Sequence, residues 1–563
     1  MKRGSFSYPS IFRIAVAAVL SVYAVPAWAQ APSITGLQNN YSYTLPGSPN
    51  YGLAPGCLFI VTGSNLASTQ NGLQTFFLPT SLNGVSVSVT VGGTTTHAPL
   101  YYAYPTQLGI VLPSATPVGT GTLTVTNNGQ SGNTSIQVIQ SAFGILTLNN
   151  AGSGRAAAFD LNSNLLSSTN SVNPGGYVTL WGSGVGADPA NTDETIYPQK
   201  QDNLTNIPIE VDIGGVAGNV VYRGRSQFPG VDQIDVQLPT TVPTGCYVSV
   251  VVRSGNELGN TASIPVAASG NECTDTITGF ALSYQETVNN NATMPTIVTL
   301  GAAEQQALSR TVPTNVGALL FEQDNQPNVP NILGFSIPTE NIAEADFLRF
   351  SPGDFNASFS PFLLSLGSCM VTPVTNANPT ALDPGTGLTV SGGGSSSSFH
   401  AEQAGQYLTG VNPASSYTFA GTGGNDVGAF SAQVTVPSPA LVWNEMSSLT
   451  SVVRSQGVTV TWSGGAPNTA VVIAGNSAAV LGNVNISRSF FCLAPVAAQK
   501  FSVPASILLS LPATPTFPIA SQAYLGVSNS TNPTMFTASG LDLGFAAAVI
   551  WDNTGLRTGF TFQ

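Results

Sequence analysis

The stretch Pro55–Ser64 reads PGCLFIVTGS, and Pro174–Ser183 reads PGGYVTLWGS. Each opens on Pro-Gly, runs through β-branched and aromatic residues, and closes on Gly-Ser, at an offset of 119. The echo continues downstream. Gly92-Gly93 returns as Gly214-Gly215 at an offset of 122. Gln107 and Pro113 return as Gln233 and Pro239, and Pro117 and Gly119 as Pro243 and Gly245, all at 126. The offset drifts only in loops. A period this long is one whole domain rather than a solenoid unit. At about 100 residues, an immunoglobulin-like sandwich is the natural candidate.

The repeated words have a physical sense. Pro-Gly turns the chain into a buried strand, and the strand ends at a Gly that needs a positive φ or close packing. Gln107–Pro113 and Gln233–Pro239 are strands stopped by a proline that cannot donate to the ladder. Pro-x-Gly then turns into a closing hairpin. Around them Leu58–Thr62, Val85–Val91, Gly121–Thr126 and Ile136–Ile139 read as strands, with turn signals at Asn128-Gly129 and Ser131-Gly132. A porin-like barrel is the rival all-β reading. It needs repeated strands of about ten residues with aromatic girdles, and the dense Pro and the domain-length repeat argue against it.

The stretches Ala54-Pro55-Gly56, Gly63-Ser64-Asn65-Leu66, Ala98–Tyr102 and Gln107–Pro113 resemble the double module of large secreted acidobacterial proteins, the Solibacter-type uncharacterised C-terminal domain. Val172–Gly186, Ile209–Gly215, Val231–Pro239 and Thr244–Val252 match its second half. The module is related in style to IPT/TIG immunoglobulin-like domains, and the resemblance covers about residues 32–268. It implies fold and carries no activity.

Tandem immunoglobulin-like sandwiches are therefore expected at 32–139 and 140–268. Residues 274–370 are mixed: Gly301–Leu308 suggests a helical turn, while Asp346–Phe350 and Ser358–Leu366 read as strands. The segment either joins the next domain or stands as a small unit. From Leu382 the β signal returns, and 371–563 reads as one β-sandwich domain. Within it Gly392–Ser398 is a flexible Gly/Ser loop, a hairpin or loop tip rather than a domain linker.

Composition narrows the function classes. Charged residues are 7% of the chain, against about 25% in ordinary globular proteins. With 14 Lys+Arg facing 26 Asp+Glu, nucleic acid is not an expected partner, because phosphate binding needs a basic face. Lys2, Arg3 and Arg13 precede the apolar run Ile14–Ala24, and Ala27-Trp28-Ala29 is a small-x-small site. Residues 1–29 thus read as a secretory signal peptide cleaved after Ala29. The apolar run is shorter than the ~20 residues a spanning helix needs. Without those three basic residues the formal charge moves from −12 to −15. Nothing later resembles a transmembrane segment, the nearest run being Phe545–Trp551.

Chemistry-bearing residues are sparse. His97 and His400 are the two histidines, and neither sits in a nucleophile-elbow or zinc-binding motif. They read as incidental surface residues. Carboxylates can do glycosidase work as a pair with a defined separation. Asp188, Asp193, Glu194 and Asp202 share a loop, and Glu210, Asp212, Asp232 and Asp235 lie on flanking strands. Alternation puts Glu210 and Asp212 on one face, the wet one. The loop lacks the D-x-D-x-D-G calcium spacing and reads as acidic and solvated. Tyr101, Tyr102 and Tyr104 form the densest aromatic cluster. Either an exposed pair stacks on sugar rings, or one face is core and one hydroxyl caps a loop. Trp181, Trp443 and Trp462 read as core anchors.

Five cysteines are present and no C-x-x-C, so no metal or cofactor site is expected. Export permits disulfides. An antiparallel return brings Cys273 beside Cys246. Cys369 and Cys492 are left as a pair, and Cys57 as a buried free thiol. The sequence as a whole reads as a secreted, non-enzymatic binding, adhesion or structural protein of the cell exterior. Its ligand is an unidentified extracellular one, such as a polysaccharide or cell-surface component. The alternative is a carbohydrate-active enzyme, or its carbohydrate-binding accessory, with the activity in 274–563.

Overall fold

The structure, a computed structural model, describes residues 30–44, 46–48, 50–275, 278–288, 292–300, 312–325, 340–351, 363–372, 379–481, 484–514, 523–553 and 560–563. The signal peptide, its cleavage point after Ala29 and the helical turn at Gly301–Leu308 lie outside the described residues. The protein is all-β, and it begins with tandem immunoglobulin-like β-sandwiches.

In the first sandwich, one sheet has the order Ser33–Asn39, Leu58–Ser64, Gln107–Val111, Leu100–Ala103. The facing sheet runs Ser81–Leu82, Val85–Val91, Gly119–Asn127, Gln130–Val138. Val85–Val91 shows why: its four valines are buried, and the Ser and Thr between them are half-exposed. That period of two lays one face on the core and the other in water. The core gathers Phe59, Val61, Val87, Leu108, Leu123 and their neighbours.

The second sandwich repeats this topology. Gly144–Ile145, Tyr177–Ser183, Asp232–Gln237 and Asn219–Arg225 make one sheet; Val216–Ala217, Ile209–Ile213, Gly245–Ser254 and Glu257–Val266 make the other. The register repeats as well. Thr62 lies opposite Gln107, and Trp181 opposite Gln233. Gly63 and Gly182 are the close-packed positions that the repeat implied. A Cβ on Gly63 would lie 2.0 Å from the Ser33 carbonyl oxygen, and one on Gly182 would lie 2.2 Å from that of Gly144. The edge strand approaches so closely that no side chain fits.

The C-terminal region is built on a different plan from a lone sandwich. A long sheet runs Cys369–Val371, Val484–Pro495, Ala470–Leu481, Ala523–Ser530, Leu543–Asn553, Thr314–Asn325, Glu340–Phe350, Gln406–Gly410, His400–Gln403. Thr314–Asn325 pairs in parallel with Leu543–Asn553. Residues 314–350 thus supply two central strands to a sheet otherwise made from later sequence. Two smaller sheets pack on one side of it. One, with Tyr417, Phe419 and Phe430, covers Phe321 and Phe347. The other buries Trp443 and Trp462 against Val471, Ile473 and Phe490.

Cys246 bonds to Cys273 with a Cα separation of 5.2 Å, and Cys369 to Cys492 at 3.9 Å. The second pair lies directly opposite in register across two strands of the long sheet. Cys57 is buried and unbonded. The first bridge closes the second sandwich where it meets the C-terminal region. There Asp275 accepts hydrogen bonds from the Cys246 N–H (2.7 Å) and the Ser365 hydroxyl (3.0 Å).

Candidate functional site

The two sandwiches meet at a built joint. Arg225 ends one edge strand of the second sandwich and is completely buried. Its guanidinium pairs with the equally buried Asp232, which also accepts the N–H groups of Gly184 (2.6 Å) and Val185 (2.8 Å). The other arm of the fork reaches the Gly186 carbonyl at 2.8 Å and, in the first sandwich, the Ser114 hydroxyl at 3.3 Å. The planar fork serves several acceptors at once, as a lysine cannot. Gly56, at φ +78°, leaves the space: a Cβ there would lie 1.5 Å from the Arg225 nitrogen. Around this pair the Ser183 hydroxyl accepts the Leu58 N–H at 2.8 Å, and Glu194 accepts the Ser114 N–H at 2.6 Å. The Tyr101 hydroxyl donates to the Pro229 carbonyl at 2.7 Å.

Over the joint runs a ladder of half-buried rings. Phe76 of the first sandwich stacks on Tyr197 at 4.7 Å between centroids, and Tyr197 on Phe228 at 5.5 Å. Phe228 lies 5.8 Å from Trp181, which lies 5.4 Å from Phe159. Phe77, 65% exposed, and Ile196, 44% exposed, flank the ladder. Single exposed apolar residues need no explanation, but a contiguous patch marks an interaction surface.

Local sequence explains the placement. Tyr177, Thr179 and Trp181 alternate with buried Val178 and Leu180, so they stand on the outer face of their strand. Trp181 is therefore not a core anchor, in contrast to the expectation. The strand is covered on its other side, and the aromatic residue falls on the open one. Trp443 and Trp462 are core anchors, each 2% exposed.

The carboxylates need a similar correction. Glu210 is exposed and pairs with Arg253, and Asp212 is half-buried beside it, as alternation requires. Asp188, Glu194 and Asp232 are buried rather than solvated. They satisfy backbone and side-chain donors: Asp188 accepts the Ala190 N–H (2.9 Å) and the Asn191 amide (2.6 Å). Burying a charge this way is tolerable only with such partners. Asp193 caps Thr195 and Asp202 pairs with Lys200. Among the described residues no group of three or more His, Cys, Asp or Glu is placed to hold a metal ion. His97 and His400 are exposed, the latter 3.1 Å from Glu402.

Tyr101 caps a loop through its hydroxyl, and that loop belongs to the second sandwich. Tyr102 and Tyr104 stack at 5.1 Å, and Tyr102 lies over Gly109, where a Cβ would come within 2.3 Å of the ring. Burial pushes the Tyr102 hydroxyl up to about 12.

The sequence reading missed Arg225 and the rings Phe76, Tyr197 and Phe228, and it also missed a buried acidic pair. Glu344 and Asp346 alternate on Glu340–Phe350, so they share a face, and both are buried. Burial pushes Asp346 up to about 7, against hydrogen bonds from Gln406 and Glu344 that favour its charged form. The Glu-Ala-Asp spacing was the available signal. Nothing in it told that this face is covered.

No protein-family model matches the chain, and no curated protein matches it. Among solved structures it is similar to a titin fragment at 9% identity, over 72% of this chain and 93% of that one, with a TM-score of 0.13. It is also similar to domains 5–6 of the S-layer protein SbsC, at 16% identity, over 42% and 98%, with a TM-score of 0.15. A third similar structure, a Bacteroides thetaiotaomicron protein of unknown function, is 11% identical over 71% and 70%, with a TM-score of 0.14. Superpositions this loose carry no argument about role. The fold rests on the sheets described above.

Proposed function

We propose that this protein is an exported, non-enzymatic binding or adhesion protein of the cell exterior. In this reading its recognition surface is the aromatic ladder across the first two sandwiches, and its N-terminal pair is the Solibacter-type double module. The observation that carries the proposal is the continuity of that ladder over a joint held by Arg225 and Asp232. Rings on two domains form one surface only if the domains keep one orientation. Two disulfides support an oxidising compartment, as does the signal-like segment ending at Ala29. Among the described residues no helix is long and apolar enough to cross a membrane.

Attachment of fluorescently labelled mature protein to intact cells and extracellular matrix of the producing organism tests the surface. The variant Phe76→Ala/Phe228→Ala is expected to lose attachment while staying folded by circular dichroism, with a melting point somewhat below wild type because both rings are half-buried. Equal attachment by the variant would refute the ladder as the recognition surface. N-terminal sequencing of exported protein should begin at Gln30, and Met1 on that form would refute the signal peptide.

A further inference from the structure

The sheet face at the second-sandwich end of the ladder has a chemistry of its own. Residues directly opposite in an antiparallel pair share a face. One row is Phe159, Thr179, Asp235 and Tyr222; the next includes Trp181 and Gln233; the third includes Tyr177 and Gln237. None of these side chains is fully buried. Rings therefore border a strip of amides, hydroxyl and carboxylate. The polar strip is ordered by its own hydrogen bonds. Thr179 Oγ1 donates to Asp235 Oδ1 at 2.8 Å, and Gln233 Nε2 donates to the same oxygen at 2.9 Å. Asp235 Oδ2 accepts no hydrogen bond from a described residue.

From this arrangement, and resting on the recognition surface proposed above, we infer that the face takes an uncharged polysaccharide. Sugar rings present apolar C–H faces and hydroxyl edges together. The faces suit Trp181, Phe159 and Tyr177, which give large contact area at low entropic cost. The hydroxyls suit an oriented acceptor at Asp235 and the amides of Gln233 and Gln237. Charge decides against a polyanion. Asp235 stands on the face and Asp160 follows Phe159 at its edge; Lys200 is already paired with Asp202, and Arg223, opposite buried Ile234, belongs to the core side of its strand. The surplus is acidic, and so is the chain as a whole, at −12. An anionic polymer or nucleic acid meets repulsion here rather than the basic groove it requires. A protein partner fits less well, because aromatic anchors at protein interfaces sit in an apolar core with polar groups at the rim. Here the polar strip runs between the rings.

Affinity electrophoresis of the mature full chain tests the inference, in gels cast with hydroxyethylcellulose, glucomannan, soluble starch or laminarin, and with polygalacturonate as the anionic arm. At least one neutral polymer should retard the protein, and added salt should leave the retardation unchanged. Trp181→Ala should weaken it by about tenfold, the scale of one lost aromatic anchor. Asp235→Asn should weaken it by a smaller factor, Trp181→Phe should restore most of it, and His400→Ala should match wild type. Melting curves separate loss of the site from loss of the fold. No retardation by any neutral polymer, retardation by polygalacturonate alone, or retardation indifferent to Trp181→Ala would each overturn the inference. If the neutral gels are silent while Phe76→Ala/Phe228→Ala still abolishes cell attachment, the ligand class is wrong and the recognition surface stands. Protease treatment of the cells then shows whether a protein occupies it.

Discussion

Arg225 is the residue on which the arrangement of the first two sandwiches turns. Removing one member of a buried ion pair leaves the other charged and unsolvated, a loss of roughly 3–5 kcal/mol. Arg225→Met should therefore destabilise the N-terminal half by about that much in chemical denaturation, because Asp232 stays buried without its partner. The double variant Arg225→Met/Asp232→Asn should recover much of the loss. It should still weaken attachment if the joint aligns the ladder. Cys57 makes a second test at this scale. Burial pushes its thiol up to about 12, so the reactive thiolate is scarce at neutral pH. Iodoacetamide should leave Cys57 unmodified in folded protein and label it in denaturant, as read by mass spectrometry.

Among the elements, the two bridges act on loops of different length. By the chain-entropy estimate, closing the 27-residue separation of Cys246 and Cys273 contributes about 3.5 kcal/mol, and the 123-residue separation of Cys369 and Cys492 about 5 kcal/mol. Cys369→Ser/Cys492→Ser should accordingly lower the denaturation midpoint more than Cys246→Ser/Cys273→Ser. The strand Glu340–Phe350 predicts a pH effect. Buried Asp346 holds its proton up to about 7 in the folded chain, whereas an unfolded chain releases it near 4, as an ordinary Asp does, at about 3.9. Between those values the unfolded state binds fewer protons, so stability is fullest in acid and falls as pH rises through the folded value. Melting of the C-terminal region should decline from about pH 4 to about pH 7 and level off above that, and Asp346→Asn should flatten the decline. Most strands were legible in sequence: Val85–Val91 was read with its observed ends because Val alternates with Ser and Thr. Glu340–Phe350 was read only at its Asp346–Phe350 end. Its Ala-Glu-Ala-Asp text looks polar and helical, and only burial in a wide sheet makes it a strand.

For the molecule as a whole, the proposal expects recognition without turnover. The carboxylates that alternation and loop composition placed in solvent are in part structural acceptors: Asp188, Glu194 and Asp232 hold backbone N–H groups or Arg225. Glu344 and Asp346 are both buried within the long sheet. Polysaccharide, ester and peptide substrate panels incubated with purified mature protein should stay silent. Turnover that disappears in Asp346→Asn, with the fold intact by circular dichroism, would instead place catalysis in the C-terminal region.

Sequence by itself determined the β class, the domain-length repeat, its register and the pairing of the cysteines. All but one of these are written locally or by a spacing: alternation, Pro-Gly turns, the match of Gln107 to Gln233, and the antiparallel return after Val266; the pairing of Cys369 with Cys492 followed only by elimination. Tertiary structure alone decided what lies on which side of a strand. The same alternation that put Val178 and Leu180 in a core put Trp181 on a face, and nothing local tells a covered face from an open one. The joint was equally hidden. Gly56 reads as an ordinary turn glycine, Asp232 as one of several strand carboxylates, and nothing in the sequence singles out Arg225. Their partners lie up to 170 residues apart along the chain, and only the docking of two finished sandwiches takes them out of water together.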